Sequence, residues 1–439
     1  MRLPQYPCHK DSGVEWLGEI PAHWEVSPLF GLAAERNETN RGMVEDNLLS
    51  LSYGRIVQKD IASNDGLLPE SFETYQIVHH GDIVFRLTDL QNDKRSLRTA
   101  IVEQQGIITS AYLAVVPLRI QPRFFHYLLR AYDVTKVFYS MGGGLRQSMN
   151  FWDVKRLPIL APPPEEQLGI AAFLDSETVK IDALVAKMQC LVELLKEKRQ
   201  AVISNAVTKG LDPHAPVKDS RIEWLGEVPA HWAVAAIGYR YEVQLGKMLD
   251  SARITGDHLR PYLRVADVQW GKINTDDLPE MDFDEESRRK FVLRWGDLLV
   301  NEGGSYPGRS AIWSSEIECY YQKALHRVRP LSPTSDTSRF FYYVLMWAAN
   351  YGVFVAGGSE TTIEHLPAEK LRKYRFAFPD FNEQVGIASY LDCVSDEINQ
   401  LVQKAERDIA YLQERRIALI SAAVTGRIDV RGLTSTEAA

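Results

Sequence analysis

The chain has few cysteines and no long apolar run. Its 439 residues contain Cys8, Cys190, Cys319 and Cys393, with no CxxC spacing and no neighbouring histidine cluster. Such scattered thiols predict neither a disulfide framework nor a zinc site, and they favour a reducing compartment. No run approaches the roughly 18 apolar residues that span a bilayer, and the first residues lack the apolar core of a signal peptide. We therefore expect a cytoplasmic protein with no membrane partner.

Motifs for cofactor binding and catalysis are also missing. The sequence has no GxxxxGK[ST] loop, no GxGxxG after a strand, and neither the Asn-Pro-Pro-aromatic nor the Pro-Cys element of DNA methyltransferases. His79-His80 has no further ligands at zinc spacing, so we interpret the pair as polar residues before a turn. Glu302, Glu316 and Glu318 offer a nuclease carboxylate set as an alternative, although scattered acids usually lie on solvated surfaces. The sequence thus predicts no catalytic site, no metal and no cofactor on this chain.

What the chain does contain is an internal duplication. Residues 15–24 read EWLGEIPAHW and residues 223–232 read EWLGEVPAHW, at an offset of 208 residues. Residues 166–175 (EQLGIAAFLD) return as residues 383–392 (EQVGIASYLD), at an offset of 217. A period of about 210 residues is too long for a solenoid unit and fits a duplicated domain with a connector. Because the stretches between these motifs differ, the pattern predicts one scaffold that carries two different recognition surfaces.

The acidic excess of the chain lies outside its two variable middles. The net charge is −8, yet residues 27–160 hold 15 Lys and Arg against 14 Asp and Glu, and residues 232–376 hold 19 against 19. A nucleic-acid-binding domain usually has a basic face, which near-neutral middles allow without requiring it. Partner subunits that supply further phosphate contacts would fit such a balance.

The two middles share an order of elements. Residues 82–85, 99–102 and 112–116 have strand composition, and apolar residues recur at helical spacing from Phe124 to Val137. In the second middle, Gly296-Asp297 stands where Gly81-Asp82 stood, and residues 339–341 repeat residues 123–125. We interpret the middles as two divergent copies of one α/β domain.

Two long helices are predicted, at Glu165–Thr208 and at Glu383–Thr425. Their apolar residues recur at spacings of three and four, which is typical of a coiled-coil seam. The simplest arrangement is antiparallel packing of one helix on the other; a helical hairpin within each half is the alternative. The predicted seam consists of Ile181, Leu184, Met188, Leu191, Leu195 and Val202 in the first helix and Ile398, Leu401, Ala405, Leu412 and Leu419 in the second.

Base-specific contacts are expected from polar side chains of the variable middles, because Arg, Lys, Gln, Asn and Ser reach groove edges. The repeated tryptophans are identical in both halves and cannot discriminate two sequences, so we expect them to pack the constant segments against the helices. Each candidate alone could be an ordinary surface residue, and their clustering beside glycine-rich loops is what favours the group. The candidates are Arg86, Asn92, Lys94, Arg95, Arg98, Arg146, Gln147 and Ser148, then Arg264, Gln269, Ser305, Tyr306, Arg309, Lys323, Arg327, Thr361 and Thr362.

Four separated motifs closely resemble the conserved regions of specificity subunits of type I restriction–modification systems. They are residues 10–24 and 218–232, which end in Pro-Ala-His-Trp, together with residues 164–170 and 382–387. The resemblance runs from end to end and includes the duplication. It implies an α/β (α+β) fold in which two target-recognition domains, each reading half of an interrupted DNA site, are separated by two long antiparallel coiled-coil helices with an internal pseudo-twofold repeat.

The resemblance also implies domain bounds and partners. We expect a first recognition domain in residues 1–160, a long helix in 161–215, a second recognition domain in 216–378 and a second long helix with a tail in 379–439. The expected partners are double-stranded DNA, two methyltransferase subunits and, as a further recruit, restriction subunits. S-adenosylmethionine, ATP and magnesium are expected on those partners only. Helix residues proposed for methyltransferase docking are Lys187, Glu193, Lys196, Glu197, Glu406, Arg407 and Glu414.

Because the two middles differ, the DNA half-sites should differ as well. Duplex faces one helical turn apart are about 34–36 Å from each other, which a helix pair of roughly 60 Å could bridge. The competing interpretation is a scaffold whose two protein-binding modules sit on a helical spacer without DNA. A self-contained nuclease or methyltransferase would need an active site that the sequence does not display.

Overall fold

The structure is a computed structural model that describes residues 3–60, 71–88, 97–141, 149–248, 256–304, 307–354 and 365–433. It divides into two compact units: Met1–Gln189 with Glu406–Ala439, and Cys190–Ala405. Both units combine sheets with helices, and two helices are very long. The predicted fold class is therefore confirmed, while the residue bounds of the four proposed segments stay a prediction. Among the described residues, no helix is long and apolar enough to cross a membrane.

The first unit centres on a four-stranded antiparallel sheet with the order β4-β11-β8-β9. Strands were predicted at 82–85, 99–102 and 112–116, and all three are confirmed as β8, β9 and β11. The elements are β1 (His9–Asp11), β2 (Glu19–Pro21), β3 (Glu25–Pro28), α1 (Leu29–Leu32), β4 (Ala33–Glu35), β5 (Leu49–Ser52), β6 (Arg55–Gln58), β7 (Gln76–Val78), β8 (Ile83–Phe85), β9 (Thr99–Ile101), β10 (Gly106–Ile108), β11 (Leu113–Pro117), α2 (Pro122–Val134), α3 (Val137–Met141), α4 (Phe151–Val154), β12 (Pro158–Ala161) and α5 (Pro164–Lys209).

The second unit repeats this sheet as β16-β24-β21-β22, again antiparallel. It adds a three-stranded sheet, β20-β17-β23, that has no counterpart of the same order among the described strands of the first unit. The elements are β13 (Val217–Asp219), β14 (Glu227–Pro229), β15 (Ala233–Ala236), β16 (Tyr241–Leu245), β17 (Leu259–Leu263), β18 (Val268–Gln269), β19 (Lys272–Ile273), β20 (Glu280–Asp282), α6 (Glu285–Phe291), β21 (Leu298–Asn301), β22 (Ser310–Ile312), β23 (Tyr320–Tyr321), β24 (Leu325–Pro330), α7 (Ser338–Asn350), α8 (Ala368–Lys373), β25 (Arg375–Phe378) and α9 (Phe381–Val424).

One helix in each unit packs on the repeated sheet, and both begin with a side-chain cap. The side chain of Gln121 accepts the backbone N–H of Phe124 at the start of α2, and Thr337 does the same at the start of α7. Caps of this kind satisfy N–H groups that have no partner within the helix. The sequence predicted a single helix from Phe124 to Val137, but α2 ends at Val134. Lys136, with a φ of 64°, separates α2 from α3.

The two long helices are continuous, which excludes the helical-hairpin alternative. Helix α5 has 46 residues and α9 has 44, so they are roughly 70 and 65 Å long at 1.5 Å per residue. Helix α5 begins at Pro164 and carries Glu165 and Glu166 in its first turn. A proline at the first position and carboxylates near the positive end of the helix both favour this start.

Within each unit, the two helices run antiparallel. In the first unit, Trp24 binds Glu166 at the start of α5, and a Cβ on Gly426 after α9 would lie 3.3 Å from the Trp24 ring. In the second unit, a Cβ on Gly210 after α5 would lie 3.4 Å from Glu383 at the start of α9. The predicted antiparallel packing is confirmed in both units.

Eight of the eleven predicted seam residues are buried or half-buried, and the other three predictions are wrong by one position along the helix. Leu184, Leu191 and Leu401 are between 43% and 52% exposed, so they do not belong to the packed seam. The neighbouring Val185, Val192, Val402 and Ile409 are buried or half-buried instead. The buried or half-buried residues that were predicted correctly are Ile181, Met188, Leu195, Val202, Ile398, Ala405, Leu412 and Leu419.

Each unit also has one polar pair in the helix seam. In the first unit, Arg416 Nε lies 3.0 Å from Asp182 Oδ1. In the second unit, Arg199 Nη1 donates to Asn399 Oδ1 at 3.0 Å. The offset of 217 residues makes Arg199 equivalent to Arg416 and Asp182 equivalent to Asn399. Polar groups at seam positions restrict which registers two helices can adopt, so these pairs help fix the alignment of α5 and α9 within each unit.

A half-buried histidine in α2, His126, makes the stability of the first unit sensitive to acid. The Nδ1 atom of His126 is buried without a hydrogen-bond partner. Burial, followed by the nearby Arg130, Arg123 and Arg416, lowers the pKa of His126 to about 3. The folded unit therefore binds fewer protons than the unfolded chain between pH 6.5 and 3, and its stability falls as the pH falls through that window.

We expect His126→Phe to remove this dependence, since the equivalent position holds the aromatic Tyr342. From pH 6.5 to 5, the wild-type chain should lose about 1–2 kcal/mol more stability than the variant. Thermal unfolding of both full-length chains across this pH range measures the difference. Parallel pH curves for the two proteins would contradict a neutral, half-buried His126.

Candidate nucleic-acid interface

The glutamine of each repeated EQ motif fixes the sheet domain to its long helix. Gln167 is 3% exposed; its Nε2 donates to the Pro162 carbonyl at 2.8 Å, and its Oε1 accepts the Gln121 backbone N–H at 2.8 Å. Gln384, fully buried, makes the equivalent two bonds in the second unit. One side chain thus joins the start of the long helix to the start of the sheet-packing helix in both copies.

Of the four repeated tryptophans, Trp24 and Trp232 have the packing role that the sequence predicted, whereas Trp16 is 44% exposed and Trp224 is half-buried. Trp24 and Trp232 are fully buried in the hydrophobic cores of their units, where residues of α5 and α9 also pack. Trp24 donates its indole N–H to Glu166 of α5 at 2.9 Å. Side chains enclosed in this way cannot stack on a base, so Trp24 and Trp232 contribute to packing.

In both copies, the aspartate of a Gly-Asp turn before a central strand is held by an arginine of the same sheet. Asp82 accepts two bonds from the Arg36 guanidinium, at 3.0 and 2.9 Å, and one from the His79 backbone N–H at 2.9 Å. Asp297 also accepts two bonds from one guanidinium, that of Arg329, at 2.6 and 2.7 Å, although Arg329 lies on β24 and Arg36 directly follows β4. Bidentate pairs of this kind are strong and directional. They hold the start of β8 and of β21, whose other ends lead to the candidate recognition segments.

In the first unit, residues that flank the two candidate segments are bonded to one another. The Met149 backbone N–H donates to the Leu87 carbonyl at 3.0 Å. Leu87 stands before the segment that contains Lys94 and Arg95, and Met149 directly follows the segment that contains Arg146. The residues that flank the two segments therefore lie next to one another. This agrees with the proposal that both segments contact the same DNA half-site.

The second unit has the same arrangement. The Leu366 backbone N–H donates to the Glu302 carbonyl at 2.6 Å, and Gly303 forms a bridge with His365. These residues flank the second pair of candidate segments. The candidates that lie outside the described residues are Asn92, Lys94, Arg95, Arg146, Gln147, Ser148, Ser305, Tyr306, Thr361 and Thr362.

Two candidate arginines, Arg98 and Arg327, are buried and bonded inside the protein, which corrects their predicted role. Arg98 is fully buried; it donates to the Thr88 carbonyl at 2.9 Å and to Tyr139 Oη at 3.2 Å. Arg327 is 4% exposed and donates to the Lys290 carbonyl at 3.0 Å. Neither guanidinium can reach a groove edge in this fold, so the prediction that they contact DNA is wrong.

Three candidates of the second unit are accessible and lie in one region. Arg309 is half-buried, and its Nη1 donates to the exposed Gln269 at 2.8 Å. Arg264 stays 44% exposed while its guanidinium pairs with Asp267 at 2.9 Å. Arg309 and Gln269 together present donors and acceptors of the kind that reads guanine and adenine edges. Their role as DNA contacts stays a prediction.

Lys323 is exposed close to Glu302, which stands before the candidate segment that contains Ser305 and Tyr306. Its backbone N–H donates to the Lys247 carbonyl at 2.8 Å, and the Glu302 backbone N–H donates to the neighbouring Ala324 carbonyl at 3.0 Å. Burial raises the pKa of Glu302, and the positive field of His365 and Lys323 opposes that rise. The nearby Glu369 adds to the rise, so two carboxylates and two basic side chains lie close together at this end of the sheet.

The first unit has an aromatic–cation pair that was not among the candidates predicted from the sequence. Trp152 is 70% exposed, and the Lys155 ammonium lies 3.8 Å from the centre of its ring. A capping box between Asn150 and Asp153 fixes this short helix directly after the glycine segment. An exposed aromatic ring next to a cation is a stacking platform for bases.

Arg86, also a candidate, is half-buried directly after β8.

The alternative catalytic groupings of the sequence find no support in the described part of the chain. There, no three His, Cys, Asp or Glu side chains are grouped as metal ligands. Glu302, Glu316 and Glu318 therefore form no carboxylate set for a nuclease.

Comparisons with known proteins agree with the resemblance seen in the motifs. Residues 261–409 match the family model described as the type I restriction modification DNA specificity domain. The chain is 23% identical to the putative type I restriction enzyme MjaX specificity subunit of Methanocaldococcus jannaschii, over 94% of this chain and 96% of the relative.

Two solved structures share the fold. One, described as the structural basis underlying complex assembly and conformational transition of the type I R-M system, has a TM-score of 0.69 at 17% identity and covers 92% of this chain and 98% of its own. The HsdS subunit from Thermoanaerobacter tengcongensis has a TM-score of 0.57 at 17% identity, over 93% and 98%. Residues 261–409 thus match the family's domain, and the chain is similar over nearly its whole length to a type I restriction enzyme specificity subunit.

Proposed function

We propose that this chain binds an asymmetric, two-part DNA site and directs methyltransferase subunits to it, without catalysing a reaction itself. The proposal rests on a backbone hydrogen bond that occurs in both units beside the candidate segments. It joins Met149 to Leu87 in the first unit and Leu366 to Glu302 in the second. The same framework presents two pairs of segments, and the sequences of those segments differ. Two different readers on one chain would recognise two different half-sites.

The described residues proposed to contact DNA are on the surface of each unit. In the second unit these are Arg309 with Gln269, Lys323 and Arg264. In the first unit they are Arg86 and the Trp152–Lys155 pair. Phosphate contacts would place each domain on the duplex, and base-edge contacts from the segments would supply sequence discrimination.

The helices are proposed to bind two methyltransferase subunits, which would carry S-adenosylmethionine; restriction subunits with ATP and magnesium would be further partners. The first unit exposes Leu184 of α5 and Tyr411 of α9, and the second unit exposes Leu194 of α5 and Leu401 of α9. At the offset of 217 residues, Leu184 is equivalent to Leu401 and Leu194 is equivalent to Tyr411. Because the pattern occurs once in each unit, it favours two copies of one partner. The charged residues proposed for docking are all exposed: Lys187, Glu193, Lys196, Glu197, Glu406, Arg407 and Glu414. A cytoplasmic location is part of this proposal.

Aspartate substitutions at these apolar positions should each release one methyltransferase copy. Leu194→Asp with Leu401→Asp should remove one copy, and Leu184→Asp with Tyr411→Asp should remove one copy, because a charge buried in an interface is costly. Native mass spectrometry of the co-expressed complexes counts the copies.

The matched control for this test is Val179→Asp. Val179 is an exposed apolar residue of α5, but its equivalent in the second copy is Asp396. We expect this variant to retain both partner copies. Two copies in every variant would refute the apolar docking surface.

Methylation sequencing tests the whole proposal. A host that expresses this chain with its candidate methyltransferase is compared with a host that expresses the methyltransferase alone. An interrupted, asymmetric methylated motif should appear only when both are present. Absence of such a motif with a folded, cofactor-loaded methyltransferase that co-purifies with this chain would overturn the proposal.

A further inference from the structure

A cavity of about 350 Å³ in the first unit is lined by three arginines. Its wall includes Arg55 after the β5–β6 turn, Arg130 of α2 and Arg416 of α9, with Asp182 of α5 as the carboxylate on the wall. The exposed ring of Tyr53 stands at the rim. The cavity is at the lower end of the size range of small-ligand sites, and its charge is positive.

The positive charge of this cavity is only partly balanced. Asp182 pairs with Arg416 at 3.0 Å. Arg130 donates from Nη2 to the Gly54 carbonyl at 3.0 Å, while its Nη1 is buried and has no hydrogen-bond partner. Within the described chain, no ion pair joins a carboxylate to Arg55 or Arg130 at 4.0 Å or less. Burial, followed by the Arg416 charge, lowers the pKa of Arg130 to about 10. Asp133 opposes this effect on Arg130 and compensates its charge in part. A cation that is largely removed from water and only partly compensated is stabilised by an accompanying anion.

The backbone next to Arg130 is shaped for close approach. Gly54 has a φ of 73°, and a Cβ at this position would collide with the Arg130 guanidinium and with Leu97. Only glycine allows this turn to lie against Arg130. The hairpin therefore holds the guanidinium in place at the wall of the cavity, so that this cation does not need to be ordered when a ligand binds.

The second unit has a cavity at the equivalent place with different chemistry. It measures about 520 Å³ and includes Arg199 and Asn399, the equivalents of Arg416 and Asp182. Met346 stands where the first unit has Arg130. Its other lining charges are Arg339, which pairs with Asp392, and Asp396. Only the first copy thus has an excess of arginine.

From this placement we infer that the first unit has a binding site for a phosphate-type oxyanion, held by Arg55, Arg130 and Arg416. Guanidinium groups bind phosphate oxygens in a bidentate manner and keep their charge at all physiological pH values. The phosphate could belong to a small phosphorylated ligand or to a DNA backbone, and both sources offer the same oxygen atoms. In the cavity of the second unit, Met346 stands in place of Arg130 and two aspartates balance the two arginines, so no excess of positive charge is left for an oxyanion. The inference does not depend on the proposed DNA-recognition function.

Isothermal titration of inorganic phosphate into the full-length chain tests the site. We expect one saturable site per chain. Arg130→Met should weaken binding at least tenfold, and the fold should tolerate it because Met346 occupies the same position in the second copy. Asp182→Asn, which copies Asn399, should strengthen binding several-fold, since it removes the competing carboxylate. Arg156→Met, an exposed arginine outside the cavity, should have no effect.

The opposite effects of Arg130→Met and Asp182→Asn keep the test independent of general destabilisation. Absence of saturable binding, or equal affinity in the wild type and Arg130→Met, would overturn the inference. A competition arm identifies the source: displacement of phosphate by a short duplex of unrelated sequence assigns the site to the DNA backbone. Undiminished phosphate binding in the presence of that duplex assigns it to a small ligand.

Discussion

Replacing Arg309 with alanine is expected to relax base recognition in one half of the DNA site and to leave the other half unchanged. Arg309 is bonded to Gln269 at 2.8 Å and directly precedes β22 in the second unit. Loss of a good base contact costs about 1–3 kcal/mol, or roughly 10- to 100-fold in discrimination at that position. Methylation sequencing of the reconstituted complex, scored position by position, gives the result.

Arg86→Ala is the matched variant in the first unit, since Arg86 directly follows β8 beside the first pair of candidate segments. It should relax the other half of the same DNA site. If both variants relaxed the same half, or if each weakened methylation uniformly at all positions, the assignment of one reader to each unit would be wrong. A uniform loss would instead identify phosphate contacts, which position a protein without reading sequence.

The sequence predicted the long helices almost to the residue but placed part of their seam one position away. Spacings of three and four connect Ile181 to Met188 through either Leu184 or Val185. Periodicity alone does not choose between these paths, because both satisfy a heptad pattern. In the second helix the predicted path met Asp408, whereas the observed one passes through Ile409. That aspartate was the available signal for the correct phase.

The recognition surface was less predictable than the framework. Arg98 and Arg327 have the composition of DNA contacts, yet their guanidinium groups bond to main-chain carbonyls inside the protein. Sequence gives the residue type but not which carbonyls the fold places within reach. Trp152 and Lys155 were not predicted, because the glycine segment was the signal for recognition residues and the short helix after it has no such signal.

Trp24→Phe is expected to destabilise its unit by about 2 kcal/mol more than Trp232→Phe destabilises the other unit. Both tryptophans are fully buried in nearly identical motifs, but Trp24 donates to Glu166 at 2.9 Å, whereas the indole nitrogen of Trp232 is buried without a partner. Removing the first breaks a hydrogen bond to a carboxylate, which costs about 1.5–3 kcal/mol. Removing the second eliminates an unsatisfied donor, which partly offsets the lost ring volume.

Hydrogen exchange measured by mass spectrometry on the full-length variants reports the opening free energy of each unit in the same molecule. The cause of the difference lies outside the repeated motif. Glu166 also accepts a bond from Tyr6 at 3.1 Å, and the equivalent of Tyr6 is His214. Equal losses in both units would show that the Trp24–Glu166 bond adds nothing measurable. Because Tyr6 also donates to Glu166, Tyr6→Phe should destabilise the first unit as well. The loss should be smaller than for Trp24→Phe, since Glu166 keeps its bonds to Trp24 and His23.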